Sequence, residues 1–165
     1  MVVAIKFIDR HAGNLMCNFL ALFNKKKALD DLNQINKILV IQLWGVGETV
    51  LTLPAIEALR KKFPKARIDV LATSRNGDVY YNNKNIDNAF LVKLNPFSIF
   101  KFILKSVKKY DLAIDMEEYL NISAIISFFV GKISIGYSHN PRSKIYTEKV
   151  KYNDKQHAVD TFLDL

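Results

Sequence analysis

The chain has 165 residues, half of them apolar and 12% aromatic, which excludes a disordered polypeptide and allows one domain with a real core. Its formal charge of +8 favours anionic partners, and the single cysteine, Cys17, excludes an internal disulfide framework or a cysteine-based zinc site. The longest apolar runs, such as Ile122 to Val130, reach roughly half of the ~20 residues that span a bilayer, and Lys6, Asp9 and Arg10 argue against a cleavable secretion signal.

Taken in chain order, Val2 to Phe23 has helical periodicity. Ile5, Ile8, Ala12, Leu15, Met16, Phe19, Leu22 and Phe23 recur at three- and four-residue steps, and Lys25, Lys26 and Lys27 follow. Such a helix fits an interfacial position on anionic lipid or a docking face on a protein. Residues 28–36 read as a polar linker. Ile38 to Leu43 is a short apolar run, the pattern of a strand buried on both faces of a parallel sheet. Gly45 and Gly47 allow a tight turn, and a helix follows from Glu48 to Phe63, stopped by Pro64.

The alternation then continues. Strands are predicted at Arg67 to Thr73, Asn88 to Leu94, Asp111 to Met116 and Lys132 to Tyr137, with a short strand within Ile145 to Val150. Helices are predicted at Asp78 to Asn83 (short), Phe97 to Lys109, Leu120 to Val130 and Gln156 to Leu165. Repeated strand–helix alternation means an α/β, Rossmann-like parallel sheet with helices on both faces, here preceded by an amphipathic helix. The expected organisation is an amphipathic segment at 1–27, a linker at 28–36 and the Rossmann-like domain at 37–165. The last helix lacks a cap or polar tail, so the chain reads as the amino-terminal part of a longer protein.

The residues alone leave Glu48 with two readings. It lies in the first turn of a helix, where an acid complements the helix dipole. It also lies at the carboxyl end of the first strand, the edge at which open α/β sheets place their ligand sites. Gly45, Gly47 and Val50 stop one residue short of the dinucleotide fingerprint, and Asp69 lies inside its strand rather than at its end, so a nicotinamide or flavin site fits poorly. His139 and His157 lack a metal-ligand spacing, and no metal site is expected. No RNA or DNA motif accompanies the scattered lysines, so nucleic acid is not the expected partner.

The segment KILVIQLWGVGETVLTLPAIEALRKKFPKARIDVLAT resembles the opening of the family-9 glycosyltransferases, the lipopolysaccharide heptosyltransferase family. Tyr110-Asp111-Leu112-Ala113-Ile114-Asp115, Ile135-Gly136-Tyr137 and Lys155-Gln156-His157-Ala158-Val159 resemble later pieces of the family in the same order. The resemblance covers 37–165 and implies the acceptor-side half of a GT-B fold, whose other half binds the nucleotide-sugar. It implies transfer of a sugar, with inversion, from a nucleotide-sugar to a hydroxyl of a glycolipid or lipopolysaccharide core. The place implied is the cytoplasm or the inner face of the cytoplasmic membrane. No cofactor is implied beyond the donor substrate, which the absent half would hold.

The family's usual catalytic residue after the glycine turn is an Asp; here Glu48 stands there, one methylene longer. The resemblance makes Glu48 the base that takes the acceptor proton, with Gly45, Val46, Gly47 and Thr49 shaping the cleft floor. Arg75, Arg142 and Lys155, in or beside loops, are the candidates for a phosphorylated acceptor, since Arg suits bidentate phosphate recognition. A non-catalytic domain whose glycine turn holds a phosphate or a partner, and a dinucleotide oxidoreductase, are the rival readings.

Overall fold

The computed structural model describes residues 9–24 and 35–165. The expectations for Val2 to Ile8, for Lys25, Lys26 and Lys27, and for most of the linker lie outside the described residues. A π-helical turn, Asp9–Gly13, runs into α1 (Asn14–Ala21). The rest alternates as β1 (Lys37–Ile41), α2 (Val46–Lys62), β2 (Arg67–Ala72), β3 (Asn88–Leu91), α3 (Pro96–Ser106), β4 (Tyr110–Asp115), α4 (Asn121–Val130), β5 (Gly131–Tyr137), β6 (Glu148–Val150) and α5 (Ala158–Leu163).

The six strands form one sheet in the order β3-β2-β1-β4-β5-β6, and every pairing is parallel. Ile38 pairs with Ile68 on one side and Leu112 on the other. The order reverses between β1 and β4, so the crevice outside their carboxyl ends is the switch point at which such sheets bind ligands.

Both faces of β1 are buried. Ile38 and Val40 join Ala55 and Ile56 of α2 and Phe162 of α5. Leu39, Ile41 and Leu43 join Ile99 of α3 and Ile126 and Val130 of α4. Period-two alternation thus feeds two cores, and this is why the strand reads as a continuous apolar run. Helix α2 is nearly featureless in its polarity pattern because it buries Thr49 and Thr52 beside Ala55 and Ile56.

Two predicted elements differ. The helix expected at Asp78 to Asn83 is a 3-10 turn, Gly77–Tyr80, since four residues between the Asn76 turn and the extended Tyr81 cannot close an α-helical turn. A second 3-10 turn, Pro141–Ile145, takes up the start of the stretch read as holding a short strand, Ile145 to Val150, and the strand is Glu148–Val150.

Of the two positions open to the amino-terminal helix, the described residues take the docked one. Residues 9–24 are docked on the domain and not set apart from it. Cys17 and Leu20 pack against Ala124, Ile125, Ile145 and Tyr146. Asp9 caps α4 across the chain: the N–H of Asn121 donates to Asp9 Oδ2 (2.8 Å) and that of Ile122 to Asp9 Oδ1 (2.9 Å). Asn121 Nδ2 donates to the Asp9 carbonyl and to Asn14 Oδ1 (both 3.0 Å). The residue before α4 is Leu120, which has no capping side chain, so two orphan amides of that helix depend on a distant carboxylate.

Replacing Asp9 with Ala should lower unfolding free energy by about 1 kcal/mol in urea titrations. It should also speed hydrogen exchange at the amides of Asn121 and Ile122. Leu15→Ser, at a side chain that is 74% exposed, should stay within about 0.5 kcal/mol of the parent.

Candidate active site at the carboxyl edge of the sheet

The β1 ladder runs past its last residue. The N–H of Gln42 donates to Leu71 O and that of Met116 to Ile41 O (both 3.0 Å). The chain then turns at Gly45, whose φ of 77° is a conformation that side chains resist. A Cβ there would also sit 1.8 Å from Glu48 Oε2. The carboxylate of Glu48 therefore folds back over the glycine. Glu48 is the third residue of α2 and is exposed. Val46 and Gly47, in the same first turn, are exposed as well, and a Cβ on Gly47 would meet nothing within 4 Å. Open space thus lies in front of the turn.

Thr49 does not face that space. It is fully buried; its hydroxyl donates to Gly45 O (2.5 Å) and accepts from Asn76 Nδ2 (2.8 Å). Asn76 is the hub behind the turn. Its Nδ2 also donates to Gln42 O (2.8 Å), and its Oδ1 accepts from the N–H and the hydroxyl of Thr73 (3.0 Å each). The neighbouring Arg75 stacks its guanidinium on the indole of Trp44, 4.8 Å from the ring centroid. Arg75, Trp44, Gly45 and Glu48 thus share one lip of the crevice.

The other lip comes from β4. Glu117 is buried, and its Oε1 accepts from the N–H groups of Leu43 (2.5 Å) and Trp44 (2.6 Å). Burial, and the negative charge of Asp115 beside it, push the Glu117 carboxyl up to about 8. Asp115 accepts the N–H of Glu117 at Oδ1 (3.1 Å). Its Oδ2 takes the guanidinium of Arg142 (2.7 Å) and the hydroxyl of Tyr146 (2.6 Å).

Beside Trp44 and Glu117, and reaching to Asp9, Asn121 and Pro141, is an open cavity of about 540 Å³. Trp44 and Tyr119 give it aromatic walls, and Glu117, Asn14, Asn140 and Arg10 supply polar groups. Aromatic faces with amides and a carboxylate suit a sugar ring, which offers C–H faces and hydroxyls together. Nearby, His139 Nε2 lies 2.6 Å from the Glu118 carbonyl, and burial pulls its basicity down.

The structure thus brings Gly45, Val46, Gly47, Glu48 and Arg75 to one edge. Thr49 lies behind that edge as scaffold. Arg142 is no surface group: the 3-10 turn Pro141–Ile145 carries it into the interior, where Asp115 neutralises it. Lys155 is exposed in the turn between β6 and α5. Strand β6 stands three strands from β1, roughly 14 Å away at the usual spacing. Sequence reading missed Glu117, Asp115, Trp44 and Tyr119. The signal available was the carboxylate pair at the end of β4, the strand that meets β1 where the order reverses.

No protein-family model matches the chain. Lipopolysaccharide heptosyltransferase 3 of Escherichia coli is 23% identical over 113 residues, covering 62% of this chain and 33% of that one. A family-9 glycosyltransferase structure from Veillonella parvula superposes with a TM-score of 0.67 at 23% identity, covering 78% of this chain and 39% of that one. The E. coli heptosyltransferase WaaC with ADP gives 0.68 at 19% identity, covering 78% and 46%. The fold is therefore that of the amino-terminal region of the GT-B heptosyltransferases. The chain spans about a third of the length of the curated relative it matches.

Three substitutions test the geometry. Glu117→Gln keeps an oxygen for the two amides without the buried charge. A carboxyl raised from 4.5 to about 8 on folding holds its proton more tightly in the folded state, so its contribution to stability falls as pH rises through that window. Melting temperatures from pH 5 to 9 should show the variant gaining on the parent toward alkaline pH, with little difference at pH 5. Gly45→Ala should destabilise the fold, whereas Gly47→Ala should not, by the same assay.

Proposed function

We propose that this chain, a fragment resembling family-9 glycosyltransferases, is the acceptor-side half of an enzyme that moves a sugar from a nucleotide-sugar to a hydroxyl of a glycolipid or lipopolysaccharide core, with inversion. The acceptor oxygen attacks the anomeric carbon as the bond to the nucleotide phosphate breaks, and the hydroxyl proton must go to a base. Glu48 is that base. The observation that carries the reading is an exposed carboxylate on a turn clamped from both sides, by Asn76 through Thr49 and by Glu117 through the amides of Leu43 and Trp44, at the carboxyl edge of the sheet where the strand order reverses.

Cleft residues divide the remaining work. Trp44 and Tyr119 would flank the acceptor ring, and Arg75, whose guanidinium lies over the Trp44 ring, would meet an acceptor phosphate or carboxylate. Gly47 leaves room for substrate to approach the helix amides. Lys155, in its exposed turn, is available to the acceptor's outer charges, and Arg142 serves by holding Asp115. The nucleotide-sugar would bind a half that lies outside this chain, and the reading calls for no other cofactor. Among the described residues no helix is long and apolar enough to cross a membrane. Attachment to the inner face of the cytoplasmic membrane through residues 1–27 agrees with the outward side chains of α1, where Leu15, Phe19 and Leu22 are exposed.

A dinucleotide oxidoreductase gains nothing from the structure. Asp69 is engaged by Arg67, Asn88 and Tyr110, and the end of β2 carries Thr73 bonded to Asn76. Among the described residues no carboxylate stands at the end of β2, where a ribose would need one.

In the full-length protein, Glu48→Gln should cut turnover by ~100-fold or more, the range of a general base, with donor affinity little changed. Glu48→Asp should retain much of the activity. Steady-state kinetics with a deacylated core acceptor decide it; near-normal turnover by Glu48→Gln would reduce Glu48 to a helix-end residue.

A further inference from the structure

Helix α3 is amphipathic in an unusual sense: it has a core side and a second apolar side turned to solvent. Ile99 and Ser106 face inward and are buried. Phe97, Phe100, Leu104 and Val107 recur at three- and four-residue steps and are 78%, 59%, 60% and 48% exposed. Scattered exposed apolar residues are ordinary, but a strip of two phenylalanines and a leucine on one short helix, extended by a valine at its C-cap, is not. Charge gives the strip its direction. Between Asp87 and Asp111 the chain carries five lysines and no acidic residue. Lys101 and Lys105 lie on α3 itself, and with Lys93 and Lys109 they are exposed. The fifth, Lys108, is committed, its Nζ donating to the carbonyls of Phe128 and Gly131.

We infer that α3 is a lipid-facing element whose aromatic strip seats at the interface of an anionic bilayer, with Lys93, Lys101, Lys105 and Lys109 on the headgroups. Aromatic and leucine side chains flanked by lysines are the composition of helices that lie in that interface. The inference deepens the proposed glycolipid reading by adding a second membrane contact. Helices α3 and α4 cover the same face of the sheet, and α1 rests on α4. Both outward apolar strips therefore belong to the side of the molecule opposite α2 and α5. Two weak contacts on one side fix an orientation as well as an attachment, and attachment through a single short element is marginal.

The test is vesicle flotation of the 165-residue chain with phosphatidylcholine alone and with phosphatidylcholine carrying a third phosphatidylglycerol. Binding is expected only to the anionic vesicles and should weaken between 0.05 and 0.5 M salt as screening shortens. Phe97→Ser with Phe100→Ser, and separately Lys101→Glu with Lys105→Glu, should each weaken binding by roughly tenfold or more. Their melting temperatures should match the parent, because the replaced side chains are exposed. A Leu15→Ser, Phe19→Ser, Leu22→Ser variant reports on α1 alone. Parent-like binding by the α3 variants overturns the inference. So does a parent that is dimeric in solution and becomes monomeric with the Phe97 and Phe100 changes, which assigns the strip to a second copy. The readout uses no sugar, so its failure leaves the transferase reading standing, and inactive full-length protein leaves this inference standing.

Discussion

A buried ion pair anchors the carboxyl edge of the sheet. Arg142 and Asp115 are both fully enclosed and meet at 2.7 Å, with the Tyr146 hydroxyl bridging them. Such a pair is a poor source of net stability, since two charges have left water, but losing one partner strands the other at a cost of about 3–5 kcal/mol. One guanidinium nitrogen, Nη1, has no hydrogen-bond partner among the described residues, which is a further cost. What the pair does is fix position. Asp115 receives the Glu117 amide, Glu117 receives the amides of Leu43 and Trp44, and so the end of β4 dictates where the chain leaves β1.

That dictation bears on how Trp44 and Glu48, which share one lip of the crevice, are each held. Trp44 is held through its own amide, through its carbonyl by Gln42 Nε2 (2.8 Å), and across its ring by Arg75. Glu48, in the first turn of α2, folds its carboxylate back over Gly45. A fixed aromatic wall with a folded-back carboxylate is a sensible division of labour for a group transfer. Placement of the acceptor ring sets reactivity, whereas a proton acceptor must reach a hydroxyl only as bonds change. It also accommodates a glutamate where the resembling family carries an aspartate. The longer side chain has room to retract, and does so over Gly45.

The strands and helices were legible because each obeys its own period. β1, β2 and β4 are short apolar runs, α3 and α4 end at basic residues or glycine, and the parallel order follows from alternation alone. The turn at Gly45 and the carboxylate at Glu48 were legible for the same local reasons. The rest of the site was not, because its parts are local to nothing. Glu117 matters through amides more than seventy residues away. Arg142 looks like a solvated loop residue until Asp115, from a strand of different sequence context, is placed under it. Asn76 reads as half of an ordinary turn signal, yet it ties three elements together. The amino-terminal segment showed its apolar character in the sequence, but nothing there distinguished a face that docks from one that stays outside. Cys17 and Leu20 took the first role; Leu15, Phe19 and Leu22 took the second.

The cap on α4 has a consequence for biosynthesis. Asp9 and its receiving amide at Asn121 are separated by 112 positions. At translation rates of about 5–20 residues per second, roughly 6 to 22 seconds pass between the emergence of one and of the other. Throughout that interval the apolar residues of α1 have no seat, since α4 and the turn beneath it do not yet exist. The nascent chain thus carries an uncovered, sticky leader while its sheet is assembled.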